Sequence, residues 1–148
     1  MPLDIDDGTL AFIRSHRVGR LATTGENLQP AVIPFCYVFD GEHIYSPIDE
    51  KPKSVADTSL KRVRNIERNP RVAIVIDDYS EDWSKLSYVL IIGTAVIISP
   101  GGEHAGAVEL LREKYPQYRS MKINERPIIK ITPSRIKRWG ARSEETST

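Results

Sequence analysis

The chain changes its hydrophobic period several times. Residues 9–17, "TLAFIRSHR", repeat at helical spacing, with Leu10, Ile13 and Arg17 on one face. Asp6 and Asp7 precede them, and acids suit the unpaired N–H groups at a helix start. A short opening helix is expected. "VGRLATTG" then sets Val18, Arg20, Ala22 and Thr24 against Gly19, Leu21 and Thr23. This period of two predicts a strand closed by Gly25. "QPAVIPFCYVFD" predicts one longer strand, which Pro34 confines to an edge or a bulge because proline cannot donate to a ladder. Asp40-Gly41 signals a hairpin, and "EHIYSPI" is the returning strand.

The second half follows the same logic. Ser54-x-x-Asp57 resembles a capping pattern, and Leu60, Val63 and Ile66 form a core-facing stripe. Asn69-Pro70 stops that helix. "RVAIVIDDY" reads as a buried strand, "SEDWSK" as a loop, and "LSYVLIIGTAVIIS" as the longest strand. "EHAGAVELLREKYPQY" predicts a third helix with Val108, Leu111 and Tyr115 on one side. "RPIIKITPSRIKRWG" closes the chain as one bent strand or two short ones. The hairpin-linked strands pair antiparallel. The fold class expected is mainly β: a small barrel of six or seven antiparallel strands with peripheral helices. One domain covers residues 1–140, and 141–148 form a polar tail. Tyr88–Ile98 is apolar on both faces. One face can fill the barrel; the other needs a helix or a second copy of the chain, so a homodimer is expected.

Composition removes several function classes. A length of 148 residues fits one domain with an adequate core. Lys and Arg number 21 against 20 Asp and Glu, a net charge of +1. That balance disfavours a general nucleic-acid binder, and any anion site must be local. Cys36 is the lone cysteine; it forms no intramolecular disulfide, and a reducing cytoplasm is the simplest compartment. The opening residues lack the apolar core of a signal peptide, and no apolar run reaches about 18 residues, so no membrane span is expected. His16, His43 and His104 are widely spaced and lack metal-site partners. No dinucleotide or P-loop glycine pattern occurs, and no serine sits in a nucleophile elbow. "IPFCYVF" offers Cys36 no neighbouring base. If the chain is an enzyme, a cofactor carries the reaction.

"SPIDEKPKS", residues 46–54, is the stretch with local charge. Pro47 and Pro52 stiffen it, Lys51 and Lys53 charge it, and Ser54 opens a helix carrying Arg62 and Arg64. A helix N-terminus beside two lysines can seat a phosphate. Asp49, Glu50, Asp57 and Glu67 could equally neutralise these cations. Composition alone leaves both readings open.

"GRLATTG", "YSPIDEKPK", "NIERNPRVAIVID" and "EDWSKL", in this order and spacing, resemble the pyridoxamine 5′-phosphate oxidase-like flavin-binding split barrels. The similarity runs from about Arg17 to Trp139. It is nearest the branch whose members use FMN or the deazaflavin coenzyme F-420. The resemblance implies a homodimeric split barrel that moves a hydride between such a cofactor and a small organic substrate. It implies ring contacts from Ala22, Thr23, Pro34 and Phe35, and a place for Ser46 beside the ribityl chain. It assigns Lys51, Lys53 and Arg62 to the phosphate, and Trp83 to the ring from the partner chain. It names no catalytic side chain and no metal. Counterparts of the pyridoxal phosphate contacts of true pyridoxamine phosphate oxidases are not evident, so that activity itself is not implied. Two other readings stand beside it. One is a non-catalytic flavin- or tetrapyrrole-binding protein of the same fold. The other is a nucleic-acid module using Tyr37, Phe39 and Tyr45, which the charge balance disfavours.

Overall fold

The computed structural model describes residues 3–48 and 56–140, the side chains of 56–60 aside. Helix α1 (Asp7–Ser15) leads into β1 (Gly19–Thr24), β2 (Pro30–Phe35), β3 (Val38–Phe39) and β4 (Ile44–Pro47). Helix α2 (Ala56–Arg68) precedes β5 (Arg71–Asp78) and β6 (Ser87–Ile98); α3 (Gly102–Lys114) precedes β7 (Ile128–Gly140). The fold is mainly β, as the sequence predicts. Each end of the pattern has a local cause. The Asp6 carboxylate caps α1 by accepting the Thr9 N–H at 2.7 Å. Asp40 accepts from the N–H groups of Glu42 and His43, at 2.8 and 2.6 Å, while Gly41 takes φ +99°. The β3–β4 hairpin therefore turns where Asp40-Gly41 predicts. The tail at 141–148, the Ser54 cap, and Lys51 and Lys53 lie outside the described residues.

Two expectations are corrected. "QPAVIPFCYVFD" is not one strand: it breaks at Cys36-Tyr37 into β2 and β3. The longest strand is β7, with 13 residues against 12 in β6. Strand β7 is a single bent strand. Its ladder with β6 slips between Ile92 and Gly93, so that Ile92 faces Arg135 and Gly93 faces Pro133. Ser134 is the extra residue, and its Oγ donates to the Ile92 carbonyl at 3.2 Å. A Cβ on Gly93 would lie 2.4 Å from the Thr132 carbonyl oxygen, so a side chain cannot enter there without displacing backbone.

The described strands form one antiparallel sheet in the order β2-β1-β5-β6-β7-β4-β3. Strands β2 and β3 are opposite edges of it, yet two residues join them. Six flat strand spacings would separate the edges by about 29 Å. Three Cα steps reach about 11 Å at most. The sheet must therefore curl until its edges nearly meet, which makes a barrel open along one seam. Pro34 sits on the β2 edge, where it costs no ladder bond.

The curled sheet packs two cores. Leu21, Ile44, Ile74, Ile76, Ile91 and Ile131 fill the inside, with Phe12 and Ile13 of α1 among them. Outside, α3 lays Val108 and Leu111 on Val38, Tyr45 and Ile128. Strand β4 alternates between the two, Ile44 inward and Tyr45 outward, so all four of its residues are buried. The outer face of β1, β2, β5 and β6 differs. Val32 pairs with Ala22, Ala22 with Ala73, and Ala73 with Ile92, an apolar row across four strands. Val32 is 66% exposed, Ile92 38% and Val96 53%. Among the described residues, no helix is long and apolar enough to cross a membrane.

Candidate functional site

Strand β2 ends at the seam, and its last residues meet β4 and α2 there. Pro34, Phe35, Ser46 and Arg62 line one small cavity of about 150 Å³, with Val18 and Tyr118. Four of the nine residues singled out in the sequence thus come together, although 28 positions separate Pro34 from Arg62. Ser46 is buried, and its Oγ donates to the Cys36 carbonyl at 2.7 Å. That bond ties β4 to the β2–β3 break. Phe35 is buried and stacks on Tyr37 at 5.4 Å. Of the other five, Ala22, Thr23 and Trp83 do not line this cavity. Ala22 points outward in the row beside Val32. Thr23 points inward, where its hydroxyl accepts from the buried Asn65 amide at 3.1 Å. Trp83 lies in an exposed 3-10 turn, Trp83–Lys85, and its ring N–H donates to the Tyr79 hydroxyl at 3.5 Å. Lys51 and Lys53 lie outside the described residues.

Helix α2 divides its cations between two faces. Arg62 faces the small cavity, while Lys61, Arg64 and Arg68 line another of about 420 Å³. The 61, 64, 65, 68 spacing makes one helical stripe. Asn65 belongs to it and joins β1 through Thr23. Glu26 pairs with Arg68 at 3.3 Å, both largely exposed, a contact of small energetic weight. The lip of this cavity is the β1–β2 connection, where Asn27 and Leu28 hold φ of 56° and 61°. Left-handed backbone is costly for a leucine, and Leu28 is 76% exposed.

A third group, at the end of α3, holds the β2–β3 break in place. The Tyr115 hydroxyl accepts the Tyr37 N–H at 3.1 Å and lies 2.8 Å from the Arg17 carbonyl and 3.0 Å from that of Tyr37. Burial pushes the Tyr115 phenol up to about 12. The Lys114 ammonium donates to the Tyr37 carbonyl at 3.1 Å and sits 4.1 Å from the Tyr37 ring centroid. Burial, and then the charge of Arg17, lower its pKa to about 8. Cys36 is half-buried here. The sequence pattern presented Tyr115 only as a core-facing residue and did not point to Lys114, Tyr118 or Arg17 as neighbours of the break. The dense aromatic and basic run "REKYPQY" was the available signal.

Among the described residues, these groups offer apolar walls, hydroxyls and cations but no assembled nucleophile and base. Among the described residues, no group of three His, Cys, Asp or Glu side chains could hold a metal ion. The family model for pyridoxamine 5′-phosphate oxidase matches residues 5–140. The chain belongs to that family. Within it, the chain is 30% identical over 132 residues to a 5a,11a-dehydrotetracycline/5a,11a-dehydrooxytetracycline reductase of Streptomyces rimosus, covering 88% of this chain and 80% of that one. A conserved hypothetical protein of Mycobacterium tuberculosis superposes with a TM-score of 0.75 at 25% identity, over 97% of this chain and 89% of that one. An F-420 reductase superposes at 0.65 and 22% identity, over 90% and 98%. These likenesses establish the split-barrel fold of the pyridoxamine 5′-phosphate oxidase family. At family level they support an oxidoreductase of the flavin or deazaflavin type.

Proposed function

We propose that this protein transfers a hydride between a flavin-type cofactor and a small organic substrate, with the cofactor held at the barrel seam. The observation that carries the reading is the convergence of Pro34, Phe35, Ser46 and Arg62 on one cavity. Their chemistry fits such a group: an apolar wall for a ring, a hydroxyl for the chain and a cation for the phosphate. At about 150 Å³ the cavity is smaller than the roughly 300–1,000 Å³ of whole ligand sites. The site therefore needs a further surface. In this reading a second copy supplies it, docked on the apolar row through Ala22, with Trp83 reaching across. Lys51 and Lys53 take the phosphate together with Arg62, and Thr23 holds β1 against α2 behind the ring. The bound group would supply the hydride chemistry; the protein's part is to bind, orient and exclude water. The lone cysteine favours a reducing, cytoplasmic setting.

Of the two cofactor types, the cavity lined by Lys61, Arg64 and Arg68 favours the deazaflavin. F-420 ends in an anionic lactyl-oligoglutamate tail, and FMN has none. The test is a titration of the purified protein with each, followed by absorbance or fluorescence. F-420 is expected to bind with a dissociation constant in the micromolar range or below. Replacing Lys51 and Lys53 together by alanine should cost about 1.5–3 kcal/mol for each charged hydrogen bond lost. Lys61→Ala with Arg64→Ala should weaken F-420 and leave FMN unchanged. Undiminished affinity in the Lys51/Lys53 variant removes the phosphate assignment. A bound, reduced cofactor that no added substrate reoxidises would make the protein a carrier instead.

A further inference from the structure

The end of α3 carries a third cavity, of about 530 Å³, within the roughly 300–1,000 Å³ that small-molecule sites occupy. It shares Val18, Cys36 and Tyr118 with the small cavity at the seam, so the two lie side by side. Its walls include the rings of Tyr115 and Tyr118, set edge to face at 5.4 Å. Pro116 and Met121 add apolar surface. Rigid aromatic walls of this kind favour flat, conjugated ligands.

One edge of the cavity is cationic. The Arg17 guanidinium stands 5.5 Å from the Tyr115 ring centroid. Its Nη1 donates to the Lys114 carbonyl, the last of α3. A guanidinium has five N–H donors in a planar fork, so this one anchor leaves other donors for a ligand. Such a fork matches a pair of anionic oxygens. Lys114, 5.3 Å from the same ring, adds positive potential from behind. Gln117 supplies an amide at the rim.

We propose that this cavity is a substrate site for planar conjugated acids, gripped at a carboxylate or enolate by Arg17 and flanked by Tyr115 and Tyr118. The proposal rests on the reading that the adjoining seam cavity takes the cofactor ring, because adjacency is what makes the occupant a substrate.

The test uses the purified full chain without cofactor and 3-hydroxy-2-naphthoate, a fluorescent flat acid with no thiol-reactive group. One molecule per chain is expected to bind saturably. Arg17→Gln should weaken it about ten- to a hundredfold, the worth of a charged hydrogen bond. Gln117→Glu, which places a like charge on an exposed rim, should weaken it as well. If Arg17→Gln loses its circular dichroism, Gln117→Glu alone decides. The neutral 2-methoxynaphthalene should bind at least about tenfold more weakly. Wild-type affinity in both variants, or equal binding of the neutral probe, overturns the site. The wild-type protein is titrated separately with FMN and F-420. Binding of a cofactor without Arg17-dependent binding of the naphthoate sinks the substrate site and spares the cofactor reading. The naphthoate bound through Arg17, with neither cofactor bound, does the reverse and leaves an aromatic-acid site of another purpose.

Discussion

Lys114 shows how a single side chain can carry conflicting demands. It is half-buried, shares its surroundings with Arg17, and serves the Tyr37 carbonyl and two aromatic rings. Burial and Arg17 lower its pKa from 10.5 to about 8. The native state therefore holds fewer protons than the unfolded chain between those values, and linkage makes stability rise with pH across that window. Below about pH 8 the ammonium is charged in both states and the full penalty of its burial is present. Lys114→Met keeps the length of the stem and removes the charge. The stability of the wild type minus that of this variant, from urea midpoints at pH 7.5 and 10, should increase with pH. A flat difference would mean that the rings and the carbonyl fully offset the burial.

At the scale of elements, the slip between β6 and β7 is the feature most sensitive to one methyl group. Gly93→Ala would set a Cβ 2.4 Å from the Thr132 carbonyl oxygen, a backbone atom in a paired strand. Overpacking of this kind costs about 1–3 kcal/mol, readable as a lower thermal midpoint. Unchanged stability would show that β7 can shift away from β6. Most elements were legible because each rests on a local cause: runs of apolar, largely β-branched residues for β5 and β6, Asp40-Gly41 for the hairpin, Asn69-Pro70 for the end of α2. The break at Cys36-Tyr37 was not. "PFCYVFD" contains neither glycine nor a turn pair after Pro34. What ends β2 there is tertiary: Tyr115 and Lys114, about 78 residues on, hold the Tyr37 backbone. Charge drew attention to Arg62, whereas Pro34, Phe35 and Ser46 were visible only through the family resemblance. Tyr118 reaches the same cavity, and Arg17 the one beside it, only through the closure of the barrel, which no local pattern encodes.

At the scale of the molecule, α3 covers one part of the outer sheet and leaves another bare. The bare part is ordered by register: Val32, Ala22, Ala73 and Ile92 in line. Under the proposed dimer this row becomes buried. Ile92→Lys is then expected to give monomers in sedimentation and to lose cofactor affinity with them. The monomer's own stability should change by no more than about 0.5 kcal/mol, as for other surface substitutions. A variant that sediments like the wild type would place any interface elsewhere.

The joint between β2 and β3 has a topological consequence as well. Every ladder is built by strands that meet elsewhere, so cutting the chain between Cys36 and Tyr37 would break no strand pairing. It would remove the hasp that keeps the two rims together. Spare residues inserted in the hairpins would merely lengthen a loop; inserted here they would set how wide the mouth of the protein stands.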